Sequence, residues 1–124
     1  MAQPAQYVRT VQRGETLASL IEESKALAWT SNAEHAVIKL SSKERVIVRG
    51  GPDGIQFLLN AEETQVFVTM REVRVQVVRI YFHTHPRVTG PSDDDLKVLG
   101  ILRQSRSYIF EIGGDRRGTL IRPR

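Results

Sequence analysis

Cysteine does not occur in this sequence. That excludes disulfides and thiolate metal sites, so a bound metal must rely on histidine and carboxylate ligands. The absence also fits a reducing compartment, and a cytoplasmic location is expected. Long apolar runs are missing as well. Nothing approaches the ~20 consecutive apolar residues of a membrane helix, and the opening MAQPAQYVRT lacks the apolar core of a secretion signal. No membrane partner is expected. Aromatic residues are few, at 6%, and none forms a ladder among the arginines. There is no internal repeat, low-complexity tract or linker. Residues 1–124 therefore read as one domain, large enough to bury a core without a staple, with 1–13 as an arm or edge strand.

What the chain does have is arginine. The formal net charge is +4, and fourteen arginines accompany four lysines. Clustered arginine can supply the electrostatic part of phosphate binding, so nucleic acid is a partner to weigh. The clusters are modest (Arg71, Arg74 and Arg79; Arg103 and Arg106; Arg116, Arg117, Arg122 and Arg124), and a solvated basic surface is favoured over a dedicated groove.

Periodicity gives the outline. Tyr7–Val11 reads as a strand. A helix begins near Glu15, with Leu17, Leu20, Ile21, Ser24, Leu27 and Ala28 on one stripe and Thr30-Ser31-Asn32 at its end. Ala36–Leu40 and Arg45–Val48 suggest a hairpin, and Gly50–Gly54 is the strongest breaker. Ile55–Leu59 is read as another strand. Residues 61–77 stay open, although their valines argue against a long helix. Val78–Phe82 is a strand, and a helix from Asp93 to about Gln104 follows with Leu96, Leu99 and Leu102 inward. Tyr108–Ile112 and Thr119–Ile121 are strands joined by a turn over Gly113–Gly118. Trp29, the only tryptophan, is expected in the core. The fold class is α/β, a curved mixed sheet flanked by two main helices.

The stretch Val78–Leu102 concentrates the chemistry. His83 and His85 are two residues apart, so on a strand both imidazoles leave the same face. Asp95 follows in the first turn of the next helix. Two imidazoles and one carboxylate suit a zinc ion with one position left for water. Ser92 with Asp95 also reads as a capping box, and the aspartates of the first turn complement the helix dipole. His35 has no partner at ligand spacing and is taken as structural.

The run His83-Thr84-His85-Pro86 followed by Ser92-Asp93-Asp94-Asp95 resembles the H-x-H-P…S-x-x-D signature of JAMM (MPN-plus, JAB domain) zinc metallopeptidases. One departure is that six residues, Pro86–Pro91, separate His85 from Ser92 where the family usually has seven, and Gly90 could absorb the difference. The resemblance implies a JAMM/MPN-like, cytidine-deaminase-like fold, and Zn2+ held by His83, His85 and Asp95. It implies Ser92 at the developing oxyanion and an upstream glutamate as base, for which Glu34 is the candidate. The expected function is hydrolysis of a peptide or isopeptide bond in a protein or peptide substrate, such as a ubiquitin-like tail. Small family members also occur as cassettes of delivered bacterial toxins, so a cytoplasm-acting domain of a larger protein fits too. The alternatives are a non-catalytic MPN-like scaffold and a nucleic-acid-associated JAB-type domain.

Overall fold

The structure is a computed structural model, and it describes residues 3–87, 92–112 and 117–123. In chain order the elements are β1 (Gln3–Pro4), β2 (Gln6–Thr10), α1 (Leu17–Ser31), β3 (His35–Leu40), β4 (Arg45–Arg49), β5 (Ile55–Gln56) and β6 (Leu58–Leu59). Then follow β7 (Val66–Met70), β8 (Val73–His85), α2 (Asp93–Ile101), β9 (Ser107–Glu111) and β10 (Thr119–Ile121). The main sheet runs β10-β9-β8-β3-β4-β2, and β7 joins the upstream half of β8. Among the described residues only β8 and β9 pair in parallel within it. A parallel pair cannot be closed by a hairpin, and α2 provides the crossover. Contacts between β2 and β7 show how far the sheet curls. The mixed α/β class with a mixed sheet and two helices agrees with the expectation from sequence.

Each face of the sheet takes one helix because the strands alternate. Val37, Ile47, Phe82 and Phe110 point to one side and pack with Leu20 and Ile21 of α1. Ala36, Ile38, Val46, Val48 and Ile80 point to the other, where Val98 and Ile101 of α2 meet them. Truncating Phe82, which is 2% exposed, would cost roughly 3–5 kcal/mol. Pairing with β3 slips between Val37↔Phe82 and Ile38↔Ile80, which makes Tyr81 an extra residue on β8. Such a bulge reverses the alternation. It lets Phe82 serve α1 while Ile80 shares the opposite face with His83.

The helix ends follow local chemistry. Thr16 caps α1 through its side chain, and Asn32 ends it at φ 50°, a left-handed position that asparagine tolerates better than most residues. The β3–β4 hairpin forms where the sequence suggests.

Several expectations need correction. Trp29 is 69% exposed and outside the core, because it sits on the outer side of α1. Leu17 is 45% exposed at the first turn of that helix. α2 stops at Ile101, and of its expected inward leucines only Leu99 is fully buried. Beyond it, buried Gln104 accepts from Ile80 N at 2.9 Å and donates to Ile80 O. It fills the gap on β8 between β7 and β9. Ile55–Leu59 divides into β5, paired with β1, and β6, paired with β7. The loop glycine Gly90 and most of the Gly113–Gly118 turn lie outside the described residues.

Candidate metal centre

The strand register assembles the site. β3 and β8 pair His35 with Thr84 and Ala36 with His83, so one more antiparallel step sets Glu34 opposite His85. On the other side β9 pairs Glu111 with His85 and Ile109 with His83. One row on the α2 face therefore reads Glu34, His85, Glu111, and the row beside it reads Ala36, His83, Ile109. Thr84 points to the opposite face, donating to Ser24 O at 3.2 Å and anchoring the strand end to α1.

Glu34 is held by its backbone. Its N–H donates to Gly51 O and its carbonyl accepts from Gly50 N, both at 2.9 Å. A Cβ at Gly50 would collide with the Gly54 carbonyl and with Ile55, so the glycine turn that pins Glu34 needs this residue small. Ile55, just beyond the turn, lines the same pocket.

Four side chains meet here. His85 Nε2 lies 3.4 Å from Glu34 Oε1, and His83 Nε2 lies 3.4 Å from Asp95 Oδ2. The two imidazole centroids are 4.8 Å apart. Ligand atoms of Glu34, His83 and His85 all fall within 4.8 Å of one another, and all three residues are buried. This group could bind a metal ion. Asp95 borders it through His83. Among the described residues His83 Nε2 has no hydrogen-bond partner, although buried polar groups nearly always find one. A separation of 3.4 Å is long for a hydrogen bond. Between His83 and Asp95 it matches the ~3.3–3.4 Å between two ligands each ~2.0–2.1 Å from a tetrahedral ion. The donor set and the unsatisfied imidazole nitrogen thus fit a divalent cation. The adjoining pocket reaches Ala36, Phe57, Val98 and Leu99, and its free space of about 30 Å³ exceeds the ~10–15 Å³ that one water requires.

The electrostatics agree. Burial works against ionisation of Asp95. The His83 imidazole and the Ser92 backbone N–H outweigh it, and the carboxyl is held at about 2. Burial likewise disfavours a charged His85, yet the Glu34 carboxylate, helped by Asp95 and Glu111, raises its pKa above the ordinary value. Without metal the pocket therefore attracts a proton to His85, and a metal must displace it. His35 is different. Burial lowers its pKa, and its Nδ1 lies 3.0 Å from Ala33 O, consistent with a structural role.

Ser92 is the N-cap of α2. Its Oγ accepts from Asp95 N at 3.1 Å, and its own N–H donates to Asp95 Oδ2 at 2.9 Å. The capping box expected from sequence is present, and it orients the carboxylate that faces His83. Ser92 itself is exposed, three residues ahead of that carboxylate.

Sequence reasoning missed Glu111. Its Oε2 lies 3.4 Å from His85 Nδ1, and its side chain is 10% exposed. A carboxylate on the far nitrogen of a ligating histidine fixes ring orientation and tautomer and would direct Nε2 toward a metal. The sequence holds no local sign of it, because Glu111 reaches His85 only through the parallel β8–β9 pairing. Comparison of the chain with family models, curated proteins and solved structures finds no match in any of the three.

Proposed function

We propose that this protein is a zinc-dependent hydrolase of JAMM type that cleaves a peptide or isopeptide bond. The observation that carries the reading is the buried convergence of Glu34, His83 and His85 with Asp95 beside them. His83, His85 and Asp95 would hold the ion. The chemistry such an ion would supply is a more acidic water and a polarised carbonyl oxygen. Glu34 takes the proton from the attacking water and delivers it to the leaving nitrogen, so the amide is replaced by an acid and an amine. Ser92, beside the ligand Asp95, offers a hydroxyl to the developing oxyanion while its backbone steadies that carboxylate. Glu111 keeps His85 aligned. Apolar Ile55, Phe57 and Val98 around the pocket limit access of bulk water.

The histidine pair, the S-x-x-D spacing and a glutamate just ahead of β3 resemble the JAMM signature. The parallel crossover that brings Glu111 to His85 is independent of that signature and supports the same centre. A panel of isopeptide-linked peptides and ubiquitin-like C-terminal tails tests the activity. Glu34→Gln should retain zinc and lose at least ~100-fold in turnover, the low end of what a general base contributes. Full activity in that variant with zinc in place would remove Glu34 as the base.

A further inference from the structure

We propose that the α1 face of the sheet, opposite the histidines, carries a binding track for single-stranded nucleic acid. Arg45 on β4 pairs with Lys39 on β3, and Lys39 pairs with Arg79 on β8. Three cations therefore stand abreast across adjacent strands. Like charges directly opposite in a sheet are destabilising. Among the described residues no carboxylate lies within ion-pair distance of any of the three. Glu15 is close enough for Arg45 to help lower its pKa, but both of its carboxylate oxygens are already bound by Arg9. Lys39 is moreover half-buried, where an unmatched charge is harder to solvate.

The row continues into aromatic side chains. Arg79 lies over the Tyr81 ring at 5.4 Å. Ser107, which donates to Tyr81 O at 3.3 Å, leads into Tyr108 on β9. Tyr108 is 36% exposed and stacks on Phe110 with centroids 6.4 Å apart. The register sets the three cations at one end of the row and Tyr81 and Tyr108 at the other. Four strands at ~4.8 Å spacing give a track of ~14 Å. Cations along a backbone path with rings for stacking are what an unpaired strand requires and what an acidic protein surface does not. The track makes no use of the histidine face, so its failure would leave the hydrolase reading untouched.

The test is fluorescence anisotropy of a labelled short oligothymidylate titrated with the full chain over a range of salt. Three neutralised phosphates predict a slope of log K against log salt near about −2. Lys39→Gln/Arg79→Gln should weaken binding about tenfold at low salt and bring the slope near about −0.7. Tyr108→Leu should weaken it at least about fivefold without changing the slope. Because removing crowded cations relieves repulsion, the glutamine variants should unfold at no lower temperature than the parent. Arg79→Gln alone, at an exposed position, gives a variant with no buried group to disturb. No binding at low salt would overturn the proposal, as would an unchanged slope in the double variant. An oligoglutamate that competes on equal terms would replace nucleic acid with an acidic protein partner.

Discussion

In the proposed metal centre Glu111 would act through His85 rather than on the ion itself. Facing His85 Nδ1 from the neighbouring strand, it would favour the tautomer that presents Nε2 to the proposed ion. Partners of this kind are typically worth 10–100-fold in metal affinity. Glu111→Ala is accordingly expected to weaken zinc binding by about that factor while the protein stays folded, as measured by competition with a chromophoric chelator; unchanged affinity would show that His85 needs no such support. The other site residues differ in how visible they are in sequence. His83 and His85 announce themselves by their spacing on a strand, and Asp95 by its distance from Ser92. Glu34 stands out among the glutamates only through family likeness. Glu111 has no signal, because a parallel pairing across a helix leaves no local pattern.

Among the elements, the β7–β8 hairpin shows where local signals fail. Its turn is Arg71-Glu72, with φ of 51° and 67°, a two-residue turn that normally favours Asn-Gly because both positions are left-handed. Without that pair, residues 61–77 show valines that favour strands, with Val73, Val75 and Val77 alternating, but no turn to bound them, and β8 is read with assurance only in its downstream half. Arg71→Asn/Glu72→Gly should relieve the turn and stabilise the protein by about 1 kcal/mol in urea unfolding; loss of stability would mean that Arg71, set over the Tyr7 ring, contributes more than the turn costs. By contrast, the β3–β4 hairpin is legible from the polar Ser41–Glu44 turn, and α1 from its apolar stripe and from Thr30-Ser31-Asn32 at its end.

The contact between β2 and α1 rests on a clamp. Arg9 donates to both oxygens of Glu15 and both of Glu23. Hydrogen bonding from Arg9 and from the Gln12 backbone lowers Glu15 to about 2, and Arg9 lowers Glu23 as well. The folded-state pKa lies below the unfolded value near 4.5, so the clamp's stabilisation is fully present above that pH. It is lost as pH falls toward 2. Arg9→Met should therefore flatten the fall in melting temperature between pH 5 and pH 2; an unchanged slope would assign acid sensitivity elsewhere.

At the scale of the whole molecule, the curled sheet separates two surfaces. One face gathers imidazoles and carboxylates under α2, and the other carries the basic row beside α1. The same alternation that divides the core divides the chemistry, with the Tyr81 bulge setting which side chains fall where. If the buried cluster is a metal centre, folding and metal binding are linked, and a saturating ion at a thousand times its dissociation constant adds about 4 kcal/mol. Removing the ion with a chelator should lower the melting temperature by a matching amount.

The most direct measurement is the metal content of the purified protein by plasma mass spectrometry, alongside His83→Ala and Asp95→Asn. One zinc per chain in the parent, lost in both variants, is the predicted result. A parent free of metal after purification in zinc-supplemented buffer, with the same melting temperature with or without chelator, would contradict the account.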